Sequence, residues 1–167
     1  MHLDIRVSEE SEFFDMKLLK EFCSRARSYK NDIGDDFQVR SLGGNEQSAE
    51  IILNLIKQGK KTGTFSLPWI ANAKNYDETI SGKNVILCDY HLFPKVLVQI
   101  VNPILTKFGD INANFTRLDG PAVRDVLVWK KVHRDYWNGL LVEFGKVCSD
   151  DMPVLVEPFK LIYEDNK

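Results

Sequence analysis

Gly59-Lys60-Lys61-Thr62-Gly63-Thr64-Phe65-Ser66-Leu67 is the stretch on which the reading of the fold turns. Just before it, Ala49, Ile52, Leu55 and Ile56 recur at helical spacing, and Gly59 stands where a left-handed residue closes a helix. Beyond it, β-branched and aromatic residues predict a loop running into a strand. The order helix, loop, strand excludes a triphosphate-binding P-loop, in which a strand precedes the loop and a helix follows it. The earlier glycine that such a loop requires is also absent, because Asn54 holds its place.

Working outward, Phe14, Leu18, Leu19, Phe22, Cys23 and Ala26 predict an amphipathic helix over residues 8–29 behind a serine cap at Ser8 or Ser11. The turn-rich segments at 31–36 and 43–45 separate it from a second helix near 46–58. Short strand-like runs follow at Val85–Cys88, Val96–Val101, Ile104–Lys107, Val154–Val156 and Phe159–Tyr163. Val126, Trp129, His133, Trp137 and Leu140 share one helical face and predict a third helix over 121–138. Several short strands with flanking helices make the chain an α+β protein.

The 167 residues fit one domain, and 44% apolar with 28% charged residues supports a packed core and excludes a disordered chain. Lys and Arg number 22 against 24 Asp and Glu, so a net charge of -2 provides no global field for coating a polyanion. Cys23, Cys88 and Cys148 lack the spacing of a metal or disulfide framework. Cys88 follows an apolar strand-like run and reads as a buried, inert thiol. His2, His91 and His133 have no acidic neighbour at ligand spacing, so neither a metal nor a cofactor is expected. Residues 1–10 lack the apolar core of a signal peptide and no apolar run reaches bilayer length, which leads to the expectation of a cytoplasmic protein without membrane contact.

A longer pattern now stands out. Gly59-Lys60-Lys61-Thr62-Gly63-Thr64-Phe65-Ser66-Leu67 is followed by Phe108-Gly109-Asp110-Ile111 with Phe115, then Asp119-Gly120, Trp129 and His133, and finally Asp151-Met152-Pro153-Val154 through Glu157, Phe159 and Tyr163. This order resembles the ASCH domain family, in particular its longer bacterial members, over residues 37–163, and leaves 1–36 as an N-terminal helical extension of a single domain. The resemblance implies a PUA-like small β-barrel of five or six strands with flanking helices. It also implies RNA, a nucleotide or a modified nucleoside as ligand, bound in a cleft around the Lys61–Thr64 loop and Asp119.

A shorter branch of that family hydrolyses an acylated cytidine with a lysine, a threonine and a glutamate. The matching residues are Lys61, Thr64 and, with one methylene fewer, Asp119. A threonine hydroxyl attacks an amide once a base takes its proton, and a partly buried lysine can be that base. Asp119 would orient the amine or protonate the leaving group. The alternative reading is a hydrolase, ribonuclease or nucleoside amidohydrolase in type, built on this trio. Lys60, Thr62, Ser66, Trp69, Arg117 and His133 make up the candidate ligand-contacting set, with Trp69 as a stacking face and Arg117 on a basic rim. Each has a plainer reading beside it: Asp119 as a helix cap, His133 as a hydrogen-bonded residue at the core edge, Trp69 as core filling, the rest as solvated surface. The family's acidic EGEGD-like run is here Asp119-Gly120-Pro121-Ala122-Val123, so only its first acid is retained. The N-terminal helix serves packing, self-association or a protein partner.

Overall fold

The computed structural model describes residues 1–166. In chain order the elements are β1 (His2–Ile5), α1 (Met16–Tyr29), β2 (Asp36–Ser41), α2 (Glu46–Lys57), β3 (Gly63–Ser66), α3 (Pro68–Ala73), β4 (Asn84–Cys88), β5 (Pro94–Ile100), β6 (Ile104–Lys107), α4 (Ala113–Thr116), α5 (Val126–Leu141) and β7 (Pro153–Glu164). The α+β class is as expected. The barrel is corrected to an open sheet of seven strands in the order β1-β2-β4-β5-β7-β3, with β6 also on β7. Among the described residues no ladder joins β1 to β3. Residues 1–36 contribute β1, which pairs in parallel with β2 and occupies the edge that β2 would otherwise offer for closure.

Two strands were illegible in the sequence. β1 and β2 carry polar and charged residues at alternate positions, and two of these, Asp4 and Arg40, turn inward to pair with Arg6 and with Glu157 of β7 instead of marking loop. β7 is a single strand of 12 residues, not two. Its first half pairs with β3 and β6 and its second half with β5. Pro158, which has no N–H to donate, falls where the partners change, so its missing donor breaks no ladder.

Helices cover both faces of β4, so Val85-Ile86-Leu87 is apolar without interruption. On one side α1 packs Leu19, Phe22, Cys23 and Ala26 against Phe37, Val39, Ile86 and Leu97. On the other α2 brings Leu53 and Ile56 to Val85, Leu87, Val96, Val98 and Phe159. A third cluster joins Trp129, Trp137 and Leu141 of α5 to Phe108, Met152, Val154 and Val156.

An aspartate, not a serine, starts α1, and another starts α5. Asp15 accepts from the Lys17 N–H and opens α1 at Met16, and Asp125 accepts from the Leu127 and Val128 N–H groups and opens α5 at Val126. An ionised acceptor at a helix N-terminus adds a charge–dipole gain that serine lacks. Pro121–Val123 forms only a short 3-10 turn, so Asp119 is released from any capping of α5.

Cys23 and Cys88 are buried and Cys148 is half-buried, all as free thiols. Burial pushes the Cys88 thiol up to about 12 and also raises Cys23 and Cys148. Titration of the native chain with a disulfide reagent at pH 8 is expected to modify at most Cys148, with all three reacting after denaturation. Fast native labelling of Cys88 would contradict this packing.

Candidate functional site

β3 separates two polar centres, and the parity of its residues decides which side chain reaches which. Gly63 and Phe65 face α5. A β-carbon at Gly63 would lie 2.9 Å from the Leu118 β-carbon, so the strand approaches this closely only without a side chain there. Lys61 has the same parity, and its ammonium donates to Asp119 Oδ1 at 2.8 Å, with both side chains buried. Asp119 Oδ1 also accepts the Gly120 N–H at 2.8 Å, and Oδ2 accepts the Trp129 indole N–H at 3.1 Å. Burial pushes the Asp119 carboxyl up, yet Lys61, the Gly120 N–H and His133 together hold it below its ordinary value.

His133 stacks on Trp129 with ring centroids 3.8 Å apart, and its Nδ1 lies 2.9 Å from the Trp129 carbonyl. Its Nε2 is 3.7 Å from Asp119 Oδ2. Burial lowers its pKa to about 4, against the partial compensation of the Trp129 carbonyl and Asp119. His133 is therefore neutral in the fold at pH 6, whereas the unfolded chain binds a proton below about 6.5. Stability should fall as pH drops from about 6.5 to about 4, by roughly 3 kcal/mol for this group alone. Urea titrations across that window should show a flatter profile for His133→Phe. An identical slope in the variant would remove His133 as the origin.

Thr64 and Ser66 point to the opposite side. In the β3–β7 register Thr64 lies opposite Glu157 and Ser66 opposite Leu155, and directly paired residues share a face. Glu157 is fully buried and held by a bidentate Arg40, with Nη1 to Oε1 at 3.0 Å and Nη2 to Oε2 at 2.7 Å. Arg40 Nη2 also donates to Gln38 Oε1 at 2.6 Å and to Thr79 Oγ1 at 3.2 Å, and Gln38 Nε2 donates to Thr79 Oγ1 at 3.0 Å. Beside them Arg6 Nε donates to Asp4 Oδ2 at 2.9 Å, and its Nη2 donates to the Asp77 carbonyl at 2.6 Å. Its guanidinium sits 4.7 Å from the Tyr76 ring centroid. Burial, then the charge of Arg40, lowers the Arg6 pKa against the pull of Asp4.

A cleft of 630 Å³ opens over this network, lined among others by Arg6, Ser66, Asn72, Tyr76, Thr79 and Leu155. The structure thus brings Lys61 and Asp119 together and places Thr64 on the other face of the strand. Ser66 reaches the cleft. Trp69 packs against the α5 cluster under Lys146. Lys60, Thr62 and Arg117 are exposed. The Lys60 carbonyl accepts from Arg124, and the backbone of Thr62 ties Leu118 to Phe159.

Sequence reasoning missed Arg6, Gln38, Arg40, Tyr76 and Thr79. The available signal was Phe37-Gln38-Val39-Arg40 together with Glu157 in an apolar run: polar residues alternating with apolar ones read as a solvated face, but here they pair inside. The structure also brings His2, Asp36 and Asp77 close enough for their ligand atoms to lie within 4.8 Å of one another. His2 and Asp77 are hydrogen-bonded at 2.6 Å and Lys83 neutralises Asp36 at 2.6 Å, so these exposed groups satisfy one another. No helix among the described residues is long and apolar enough to cross a membrane.

A family model described as ASCH domain matches residues 39–163. The fold is similar to the crystal structure of an ASCH domain from Lactobacillus crispatus JV V101, with a TM-score of 0.78 at 18% identity over 91% of this chain and 99% of that one. It is equally similar to the crystal structure of a protein from Enterococcus faecalis V583, with a TM-score of 0.78 at 16% identity over 89% and 90% of the two chains. No curated protein matches the sequence.

Proposed function

The chain belongs to the ASCH domain family, and from that premise we propose that it binds an uncharged nucleoside-type ligand in the cleft over the Arg40–Glu157 pair. The ligand class comes from the family's association with RNA and modified nucleosides; the choice within it comes from charge. The charged side chains lining the cleft are Arg6 against Asp77 and Glu78, and Arg6 is already committed to Asp4. A phosphate would meet no free cation there and two carboxylates, which is unfavourable in a partly desolvated groove. A neutral nucleoside meets a tyrosine ring backed by a guanidinium for stacking, with Ser66, Asn72 and Thr79 as hydrogen-bonding groups.

The observation that carries this reading is the spent guanidinium of Arg6 beside an open, tyrosine-walled cleft. It favours binding over hydrolysis, because Thr64 has no free base: Glu157 is occupied by Arg40, and Lys61 is held by Asp119 on the other face. Calorimetric titration with cytidine, acylated cytidine and their monophosphates tests it. Saturable nucleoside binding is expected, several-fold weaker for the phosphorylated forms and about tenfold weaker in Tyr76→Ala, the loss of one stacked base. Tighter binding of the monophosphate or of short RNA, or turnover of the acylated nucleoside, would reverse the assignment.

A further inference from the structure

The floor of the cleft is the face of the sheet turned away from α5. On β7, Val154 and Val156 pack with Trp129 of α5, so Leu155 and Glu157 between and beyond them point to the cleft. Register sets their neighbours. Ser66 on β3 and Leu105 on β6 both lie opposite Leu155, and the three form one row across the strands. Thr64 and Glu157 form the next row, where Arg40 ties Glu157 to Thr79. The floor therefore changes from polar at Glu157 to apolar at Leu105. Among the described residues β6 pairs with β7 alone, so Leu105 ends its row.

The walls at this end are apolar too. Pro68, Ile80 and Pro103 line the cleft together with Leu105 and Leu155, and Leu105 is 66% and Ile80 55% exposed. One exposed leucine on a convex surface needs no explanation. Apolar side chains gathered in a concavity that also holds a tyrosine and a few hydrogen-bonding groups have the make-up of a small-molecule site. A plain nucleoside does not use them: its base takes the Tyr76 ring and its polar groups take Ser66, Asn72 and Thr79, which leaves Leu105, Leu155 and Ile80 in water. The charged residues of the lining, Arg6, Asp77 and Glu78, lie outside this set, so what fills the apolar end is uncharged.

We propose, on the reading that the cleft holds a nucleoside, that its ligand carries an aliphatic chain longer than methyl on the base, seated against Leu105, Leu155 and Ile80.

Calorimetric titration of the full chain with cytidine and its N4-methyl and N4-butyl derivatives tests the inference, with thermal melting to confirm that each variant folds. A buried methylene is worth up to about fourfold in affinity, so the butyl derivative should bind at least about tenfold more tightly than the methyl one. Leu105→Ser combined with Ile80→Ser should shrink that advantage to within about threefold, because the chain then lies against hydroxyls. Tyr76→Ala should weaken all the ligands alike and keep the butyl advantage. Equal binding of the methyl and butyl derivatives, by a wild type that still binds cytidine through Tyr76, overturns this inference and leaves the nucleoside reading in place. Absence of binding by any of them overturns both. A butyl advantage that survives the double variant places the chain elsewhere and overturns the assignment of Leu105 and Ile80. So does a dimer, seen by sedimentation, that the double variant dissolves, since a second copy would then cover these residues.

Discussion

Glu157→Ala is expected to lower the unfolding free energy by about 3–5 kcal/mol, the cost of leaving a buried charge without its partner. The carboxylate is fully buried, and both of its oxygens are taken by Arg40, whose side chain is 12% exposed. Once the carboxylate is gone, the guanidinium keeps only Gln38 and Thr79, which are neutral acceptors and cannot offset its desolvation. Glu157→Gln should do nearly as badly, because the amide offers one oxygen to a fork built for two. The double variant Arg40→Met with Glu157→Met should recover most of the loss, since apolar groups of similar length remove both charges together. Urea denaturation measures all four chains, with unchanged m-values marking a loss in the native state. A loss below about 1 kcal/mol for Glu157→Ala would mean that water reaches the pair, as at an exposed ion pair. Thr79, which lines the cleft and is held by Arg40, would then lose its fixed place.

The same pair shows why the site was only partly legible. Gly59 and the residues after it announced a helix passing into a strand, and α2 and β3 lie there. Lys61 and Asp119 meet as their motif positions implied. Thr64 does not join them, because a lysine and a threonine three apart on an extended chain have opposite parity; a helix would have kept them together, a strand cannot. Arg40 and Glu157 are 117 positions apart, and nothing local in either segment points to the other. Their pairing depends on β2 and β7 lying in one sheet, which in turn depends on the β4 and β5 strands between them. Charged residues in short strands carry no local mark of being buried, so β1 and β2 were passed over with the ligands of Arg6 and Arg40 inside them.

Lys61→Met should cost about 3–5 kcal/mol and leave nucleoside affinity unchanged, which separates the two sides of β3. Among the described residues the lysine is the only cation that touches Asp119 at hydrogen-bond distance. Without it the carboxylate retains the Gly120 N–H and the Trp129 indole but stays buried, so the desolvation that Lys61, the Gly120 N–H and His133 now offset together would raise its pKa instead of lowering it. The sign in pH follows. In the wild type the depressed Asp119 contributes stability above its unfolded value of about 3.9, lost as pH falls through the lower folded value. In the variant the folded value lies above the unfolded one, so stability is lost as pH rises. The gap between the two proteins should be widest above about pH 5 and narrow as pH falls, because the carboxyl takes up its proton first in the variant and only below its ordinary value in the wild type. Lys61→Met combined with Asp119→Asn should be milder than Lys61→Met alone, as both charges leave together. Two measurements decide it: urea midpoints at pH 3 and pH 7, and nucleoside titration of the folded variant. A variant of undiminished stability that no longer binds would place the Lys61 ammonium on the ligand and join the two centres that the strand now holds apart.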